Sequence, residues 1–404
     1  MNPQDWTTVR LSDVAAFSGG TTPSRSRQAD YFDLGTHSWV KTMDLNNWHI
    51  SSTSESVTEK AITETSLKIH PAGTVLVAMY GGFQQIGRTG ILSRPAAVNQ
   101  AITAIYPNRR RLVPDYLLHA LNFHVDYWKT VASSSRKDPN ITSGDVREFP
   151  LPLPPTREEQ TAIAEALNDI EFLISGLDRQ VVKKQSIKQG MMQQLLGDRA
   201  CLWPRSRLSD LIDGLEAGVS VRSSEYAVHG VAVLKTSAVG GGRFDPTEAK
   251  PVLPVDIGRV RCNPAAGSLL ISRMNTPALV GQVCYVEHDY ANLYLPDRLW
   301  LARPKRGGLA SMRWLCYYLS SESGSRAVRE LATGTSGSMK NIPKERLLAL
   351  EIPIPSPEEQ DRIARALLDA DRAIEVLCSR LSKARDVKQG MMQELLTGRT
   401  RLTV

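Results

Sequence analysis

The stretch Ile187–Arg199 reads IKQGMMQQLLGDR, and Val387–Arg399 reads VKQGMMQELLTGR, the same phrase 200 positions further on. At that fixed offset Pro155–Arg199 aligns with Pro355–Arg399 without a gap, and 21 of the 45 positions are identical. Chance would leave only a few, so the chain carries an internal duplication. That duplication decides the architecture before any single residue is interpreted.

Each copy opens on a helix-start signal. PTREEQ offers Thr156 as the cap and Glu159 to return the bond; PSPEEQ offers Ser356, Pro357 at the first helical position and Glu359. An apolar seam follows: Ile163, Leu167, Ile170, Ile174, Leu177 and Val181 in the first copy. The second has Ile363, Leu367, Ala370, Ile374, Leu377, Leu381 and Ala384. Steps of four and three alternate, which is the 3.5-residue period of a coiled coil. Lys188 and Lys388 interrupt the seam, Met191, Leu195, Met391 and Leu395 resume it, and Gly197 and Gly398 are placed to end the helices. About forty residues at 1.5 Å each span roughly 60 Å. Gly190 and Gly390 lie inside, at about 1 kcal/mol each relative to alanine, and mark a bend or a partner contact. Two seams of matched register in one chain are expected to pack on each other antiparallel.

The long segments repeat more faintly. WTTVRLSDV from Trp6 matches WPRSRLSDL from Trp203, and HSWVKT from His37 matches VAVLKT from Val231. AGTVLVAMYGG from Ala72 pairs with AGSLLISRMNT from Ala266, and AITAIYP from Ala101 with RLWLARP from Arg298. These short apolar runs between Gly and Pro read as strands. Both segments then turn helical, pass a Ser/Gly-rich loop and end on Asn-Ile, at Asn140–Ile141 and Asn341–Ile342. The reading is an α+β chain of two similar β-rich mixed domains separated by two long antiparallel coiled-coil helices, in a pseudo-two-fold arrangement. Its boundaries are 1–150 and 200–350 for the domains, 151–199 and 351–404 for the spacer helices.

Bulk properties agree. At 404 residues the chain is too long for one core. Net charge is +7, split as +2 over 1–150, −1 over 151–199, +6 over 200–350 and 0 over 351–404, so the basic excess sits in the long segments. No apolar run approaches a membrane span, the N-terminus lacks a signal-peptide layout, and five scattered cysteines read as reduced buried thiols, so a cytoplasmic location is expected. Catalytic signatures are missing: there is no GxxxxGK[ST] loop, no GxSxG elbow and no metal-ligand spacing among the seven histidines. DPNI at Asp138 lacks the second proline and the aromatic of an amino-methyltransferase motif.

The phrases FSGGTTPSRSRQADYF (Phe17–Phe32), WVKTMDL (Trp39–Leu45), VNQAI (Val98–Ile102), SGSMKNI (Ser336–Ile342), PIPSPEEQDRIARAL and MMQELLTGR resemble the specificity subunit of type I restriction–modification enzymes, over nearly the whole chain. The second segment departs from them, with AGVSVRSSEY (Ala217–Tyr226) and LPDRL (Leu295–Leu299) in place of GGTTPS and VNQAI. The resemblance implies a non-catalytic DNA-recognition subunit whose two target-recognition domains each read half of a bipartite asymmetric site. It implies a helical spacer that sets the gap and docks two methyltransferase subunits, with S-adenosylmethionine on those partners, and through them the restriction/translocase subunits. Two rival readings are a stand-alone DNA-binding regulator and a DNA-modifying enzyme of unrecognised type. Polar loops at strand and helix ends supply the candidate DNA contacts. They are Thr21, Thr22, Ser24, Arg25, Arg27, Lys41, Gln84, Gln85, Arg88, Arg136, Lys137 and Asn140 in the first segment, and Arg222, Lys235, Arg273, Asn275, Ser338, Lys340 and Asn341 in the second. Arg109–Arg111 are expected to face phosphate or solvent.

Overall fold

The computed structural model describes residues 6–82, 84–132, 140–198, 200–224, 230–334 and 339–402. Compactness divides the chain into residues 1–178 with 379–404, and residues 179–378. The division falls inside the two long helices. Each unit therefore consists of one long segment, part of the helix that follows it and part of the other helix.

In the first unit Thr7–Arg10 runs antiparallel to Pro150–Leu153 and ties the ends of the segment together. A five-stranded sheet follows in the order Ala15–Gly19, Ile102–Pro107, Val75–Ala78, Thr89–Leu92, His49–Ile50. Every residue of Val75–Ala78 and Thr89–Leu92 is buried, which is why these runs show no polar alternation. A smaller sheet orders Glu55–Val57, His37–Val40, Ala97–Val98, with Trp39 and Val40 parallel to Ala97 and Val98. Helices Pro114–Phe123 and Val125–Val131 complete a core in which Trp128 stacks on Phe149.

The second unit repeats this plan. Arg205–Arg207 pairs with Glu351–Pro353. Its main sheet orders Ile212–Ala217, Leu299–Pro304, Leu269–Ser272, Val283–Tyr285, and its smaller one Ala249–Pro251, Ala232–Leu234, Leu293–Tyr294. Helices Met312–Ser320 and Glu322–Glu330 follow. Even the divergent phrases keep one close approach. A Cβ on Gly20 would lie 2.0 Å from the Asn99 carbonyl, and one on Gly218 would lie 1.6 Å from that of Leu295. Glycine is required at both positions, so GGTTPS packs on VNQAI as AGVSVR packs on LPDRL.

The long helices span Arg157–Met192, continued by a wider π turn at Gln193–Gly197, and Pro357–Leu395, with Gly398 in the left-handed region just beyond. The caps form: Thr156 and Ser356 hydroxyls accept from the backbone N–H of Glu159 and Glu359, both at 3.3 Å. The expected return bond is replaced at Glu159, whose carboxylate takes the Arg401 guanidinium at 2.8 Å. The next residue is a stronger anchor. Buried Gln160 accepts from Val113 N–H at 2.9 Å and donates to the Arg111 carbonyl at 3.0 Å. Buried Gln360 accepts from Ser311 N–H at 2.7 Å and donates to the Leu309 carbonyl at 2.9 Å.

Along the seam Ile163, Leu167, Ile174, Leu177 and Val181 are buried, as are Ile363, Leu367, Ile374, Leu377, Leu381 and Ala384; Ile170 and Ala370 are half-buried. The ends of the seam belong to the unit cores. Ile163 and Leu167 pack in the first core with Met392, Leu395 and Leu396 of the other helix. Ile363 and Leu367 pack in the second core with Leu196, and Met191, Met192 and Leu195 lie against it. The duplicated Met-Met-Gln-Xaa-Leu-Leu that closes each phrase thus supplies an apolar plug to each unit.

The seam lysines find carboxylates. Lys388 Nζ lies 2.6 Å from Glu171 in the first unit, and Lys188 Nζ lies 2.5 Å from Asp371 in the second. Glu171 and Asp371 are themselves 200 positions apart. Within the first unit Glu159–Arg401, Glu171–Lys388 and Asp178–Arg385 descend one helix as they climb the other, so the packing is antiparallel. Among the described residues, the helix's own neighbouring backbone aside, nothing lies within 4 Å of a Cβ built on Gly190 or Gly390, and both helices continue through them. The thiols correct one expectation. All five are free, yet only Cys284 and Cys316 are buried, and Cys201 is exposed. Among the described residues no helix is long and apolar enough to cross a membrane.

Asp371→Ala strands the Lys188 ammonium and the Tyr317 hydroxyl that donates to Asp371 at 2.7 Å. It is expected to cost about 2–3 kcal/mol. Lys188→Met with Asp371→Leu removes both charges from the seam and should recover most of that. Urea unfolding of the three chains gives the comparison.

Candidate nucleic-acid interface

The structure sorts the candidate residues into two places on each unit. Arg136, Lys137 and Ser338 lie outside the described residues, as does Asp138 of DPNI.

The first place in the first unit is the GGTTPS loop. Gly20 seats it on the small sheet, where Thr21 N–H donates to the Val98 carbonyl at 3.0 Å. The Thr21 hydroxyl meets Ser66 at 3.2 Å, the Thr22 hydroxyl donates to Gln100, and Ser24 meets Ser26 at 2.8 Å. The cations here already hold carboxylates. Arg25 and Lys41 share Glu55, with Arg25 at 2.5 Å, and Arg25 also lies 4.0 Å over the Phe32 ring. Arg27 binds Asp30 at 2.9 Å and Glu64 at 2.8 Å, and Lys60 binds Asp30 at 2.7 Å. Lys41 and then Arg25 hold the Glu55 carboxyl below its usual range; Lys60 and then Arg27 do the same to Asp30. In the second unit Arg222 donates through its backbone N–H at 2.8 Å and its guanidinium at 3.2 Å to buried Asp256. Those bonds, with Arg259, hold that carboxyl far below the ordinary range. Lys235 lies 3.6 Å from Glu248.

The second place is the tight turn that closes two core strands. In the first unit it joins Val75–Ala78 to Thr89–Leu92, with Gly81, Gly82 and Gly87 at positive φ. A Cβ on Gly87 would lie 2.1 Å from the Trp128 ring, so the turn sits directly on the core. It carries Gln84, Gln85 and Arg88, whose guanidinium donates to Gln85 at 3.0 Å. Ile141 N–H donates to the Met79 carbonyl at 3.0 Å, which brings Asn140 to the same edge. In the second unit the matching turn joins Leu269–Ser272 to Val283–Tyr285, and Gly281 packs on Val328 and Ile342. Ile342 N–H donates to the Arg273 carbonyl at 3.0 Å, and Met274–Asn275 pairs with Lys340–Asn341. Arg273 donates to Asn341 Oδ1 at 3.1 Å, Asn275 to the Ser272 hydroxyl at 3.3 Å, and Lys340 to the Gly334 carbonyl at 2.6 Å.

The two places differ electrostatically. Cations on the GGTTPS side and at Arg222 and Lys235 neutralise carboxylates of their own unit, so meeting a phosphate means giving up an ion pair. Arg88, Arg273 and Lys340 bond to neutral oxygens and, among the described residues, face no carboxylate partner. The turn edge also carries amides, and Arg, Asn and Gln are the side chains that fit base edges in the major groove. Sequence reading missed Tyr80 at this edge, 42% exposed beside two glycines of positive φ. Its signal was an aromatic next to Gly-Gly after a buried strand. It also passed over Gln160 and Gln360, whose signal was identity between the copies. Arg109 and Arg111 turn out to brace loops, donating to the Ala72 carbonyl at 2.9 Å and the Asp13 carbonyl at 3.0 Å.

Comparison with known proteins gives one family. The profile for the type I restriction modification DNA specificity domain matches residues 3–181 and 260–382. The type I restriction enzyme MjaVIII specificity subunit of Methanocaldococcus jannaschii is 24% identical over 99% of this chain and 94% of its own. The MjaIX specificity subunit of the same organism is 31% identical over 44% of this chain and 40% of its own. The EcoR124I/EcoR124II specificity subunit of Escherichia coli is 22% identical over 46% of this chain and 45% of its own. The crystal structure of a type I restriction–modification S subunit from M. genitalium shares the fold, with a TM-score of 0.64 over 96% of both chains at 13% identity. A duplicated strand-and-helix segment on a duplicated spacer, matched by that profile over more than half its length, places this chain in the family of type I restriction–modification DNA specificity subunits.

Proposed function

We propose that each long segment of this DNA sequence-recognition subunit reads one half of a bipartite asymmetric site, with its tight-turn edge as the reading surface. The segments are residues 1–150 and 200–350, and the spacer helices 151–199 and 351–404. The observation that carries the reading is one architecture built twice. Its anchors to the helices are identical, while the polar side chains on its edges differ. Gln160 and Gln360 take equivalent backbone partners, yet at aligned edge positions Met79, Gly81 and Arg88 stand where the second unit has Arg273, Asn275 and Gln282, with Asn140 and Asn341 shared. Invariant anchors with variable edges suit two modules that hold one scaffold and meet different bases. The GGTTPS-side residues Thr21, Thr22, Ser24, Arg25, Arg27 and Lys41, with Arg222 and Lys235, serve to shape the loops and set orientation.

The spacer fixes the gap and presents equivalent faces to two copies of a methyltransferase subunit. Those partners bring S-adenosylmethionine and, through the assembly, the restriction/translocase subunits; a specificity subunit itself needs no cofactor. Gln189, Gly190 and Gln193 are identical to Gln389, Gly390 and Gln393 and all six are exposed. The glycines have open space around them, so their retention in both copies answers to something outside the chain. Linking two weak readers on one scaffold multiplies affinity through effective concentration.

Exchanging residues 200–350 for another second segment should change one half-site only, read as the methylated motif in host DNA; a change in both halves contradicts modular reading. Inserting one heptad into both helices lengthens each by about 10 Å and should widen the recognised gap by roughly three base pairs. Arg273→Ala or Lys340→Ala should weaken binding by about 1–3 kcal/mol, with a relaxed base preference or a salt slope smaller by about one. Lys41→Ala should change specific binding less, measured by titration of labelled duplex at several salt concentrations. Gly190→Ala with Gly390→Ala should raise stability of the isolated chain by about 1 kcal/mol per site. Leucine at both positions should block co-purification with the methyltransferase subunit and leave DNA contacts of the chain intact.

A further inference from the structure

The two units are held on the spacer by chemically different joints at the same place. Val113 and Ser311, the N–H partners of Gln160 and Gln360, mark equivalent starts of the helices that face the spacer. Six residues on, the first unit has His119 and the second Tyr317. Tyr317 donates to Asp371 at 2.7 Å, and Asp371 also binds Lys188. His119 is 1% exposed and its Nε2 lies 2.8 Å from Asn168 Oδ1 on the first long helix. The Trp48 ring lies against His119 at 5.8 Å and against Phe172 of the same helix at 5.7 Å.

We propose that His119 is a positioning residue that seats the first recognition unit on the spacer only while its imidazole is neutral, so that reading of the first half-site, and not of the second, is sensitive to mild acid. Because Asn168 presents its oxygen, the neutral ring donates from Nε2 and carries no proton on Nδ1. Protonation puts a second N–H and a full charge into a buried site. The groups that face it do not compensate. Asp115, from its own helix, is bound to His49 at 2.8 Å. Glu171, from the first long helix, is bound to Lys388 of the second. Lys388 repels the new charge. Burial, and then Lys388, push the imidazole below its ordinary pKa, against the bond to Asn168 and the carboxylates of Asp115 and Glu171. Tyr317 is raised by burial, then by Asp371, and stays neutral throughout this range.

The sign follows. A histidine whose folded pKa is depressed binds fewer protons in the seated state than in the released one. Seating is fully favourable above about pH 6.5 and is lost as pH falls through that value toward the folded pKa. Each unit of depression is worth up to about tenfold in the seating equilibrium.

The experiment rests on the DNA-recognition reading for one arm only. In the full chain, duplex binding is titrated between pH 5.5 and 8 at constant ionic strength, using DNA with the first or the second half-site scrambled. Discrimination against a scrambled first half-site is expected to fall several-fold below pH 6.5, while discrimination at the second holds. His119→Gln keeps a neutral donor to Asn168 and should flatten the profile; His119→Tyr copies the second unit and should do the same. Tyr317→His should move the sensitivity to the second half-site. His37, His49, His70 and His124 remain in every variant, so a profile that His119→Gln leaves unchanged overturns the proposal. The second arm needs no DNA: NMR titration of the wild-type imidazoles should place His119 below 6.5, with Trp48 fluorescence quenched in step. Titration of His119 at or above 6.5 overturns the proposal even if specific binding is intact, whereas loss of all specific binding at pH 8 would instead count against the recognition reading.

Discussion

A lysine in the apolar seam of two helices must find a carboxylate on the other helix or expose the seam to water. Lys388 finds Glu171 and Lys188 finds Asp371. A half-buried ion pair contributes little net energy, since desolvation offsets much of the attraction, but an unpartnered one is costly. Its effect is therefore on choice of register. A shift of seven residues between the helices would set Lys188 against Ala364 or Cys378 and leave its charge facing a small apolar side chain. The same alignment delivers Met392, Leu395 and Leu396 to the first core and Leu196 to the second. Ion pair and apolar plug agree on one pairing, which is what a uniquely specified structure requires.

Once the helices are fixed, the anchoring glutamines carry that order into the segments. Gln160 and Gln360 are buried amides that close five backbone hydrogen-bonding groups of their units, two by Gln160 and three by Gln360, which also donates to the Pro355 carbonyl. Burying an amide is unfavourable unless it is satisfied, so these bonds hold the segment ends in place. The strand pairs Thr7–Arg10 with Pro150–Leu153, and Arg205–Arg207 with Glu351–Pro353, close each segment on itself. The connections between the core strands stand as loops on this frame. They can change residue without disturbing the core, because a turn's backbone conformation depends on its glycines and its seat on Trp128 or Val328, and little on the polar tips.

How much of this could be read in the amino-acid sequence varies with the range of the interaction. Caps at Thr156 and Ser356, the seam period and the helix ends near Gly197 and Gly398 are local signals, and they appear where the residues indicate. The fold class followed from the duplication, since a repeated segment with a repeated long helix leaves few architectures. The site was legible only as a set of polar loops. Charge alone made Arg25, Lys41, Arg88 and Arg273 look alike. Glu55 lies fourteen positions from Lys41 and thirty from Arg25 in sequence, and no local pattern shows that it neutralises both.

The sequence by itself determined the duplication, the two long helices, the strand-rich character of the segments and the family resemblance. Each of these is periodic or is written in contiguous phrases. Only the tertiary structure decided which cations face a carboxylate partner, that Gln160 and Gln360 are the anchors, and that His119 and Tyr317 occupy the same joint. Those facts depend on distances between residues remote in the chain. A charge is screened, paired or exposed according to what the fold brings within a few ångströms of it, and that neighbourhood exists only after the backbone has closed.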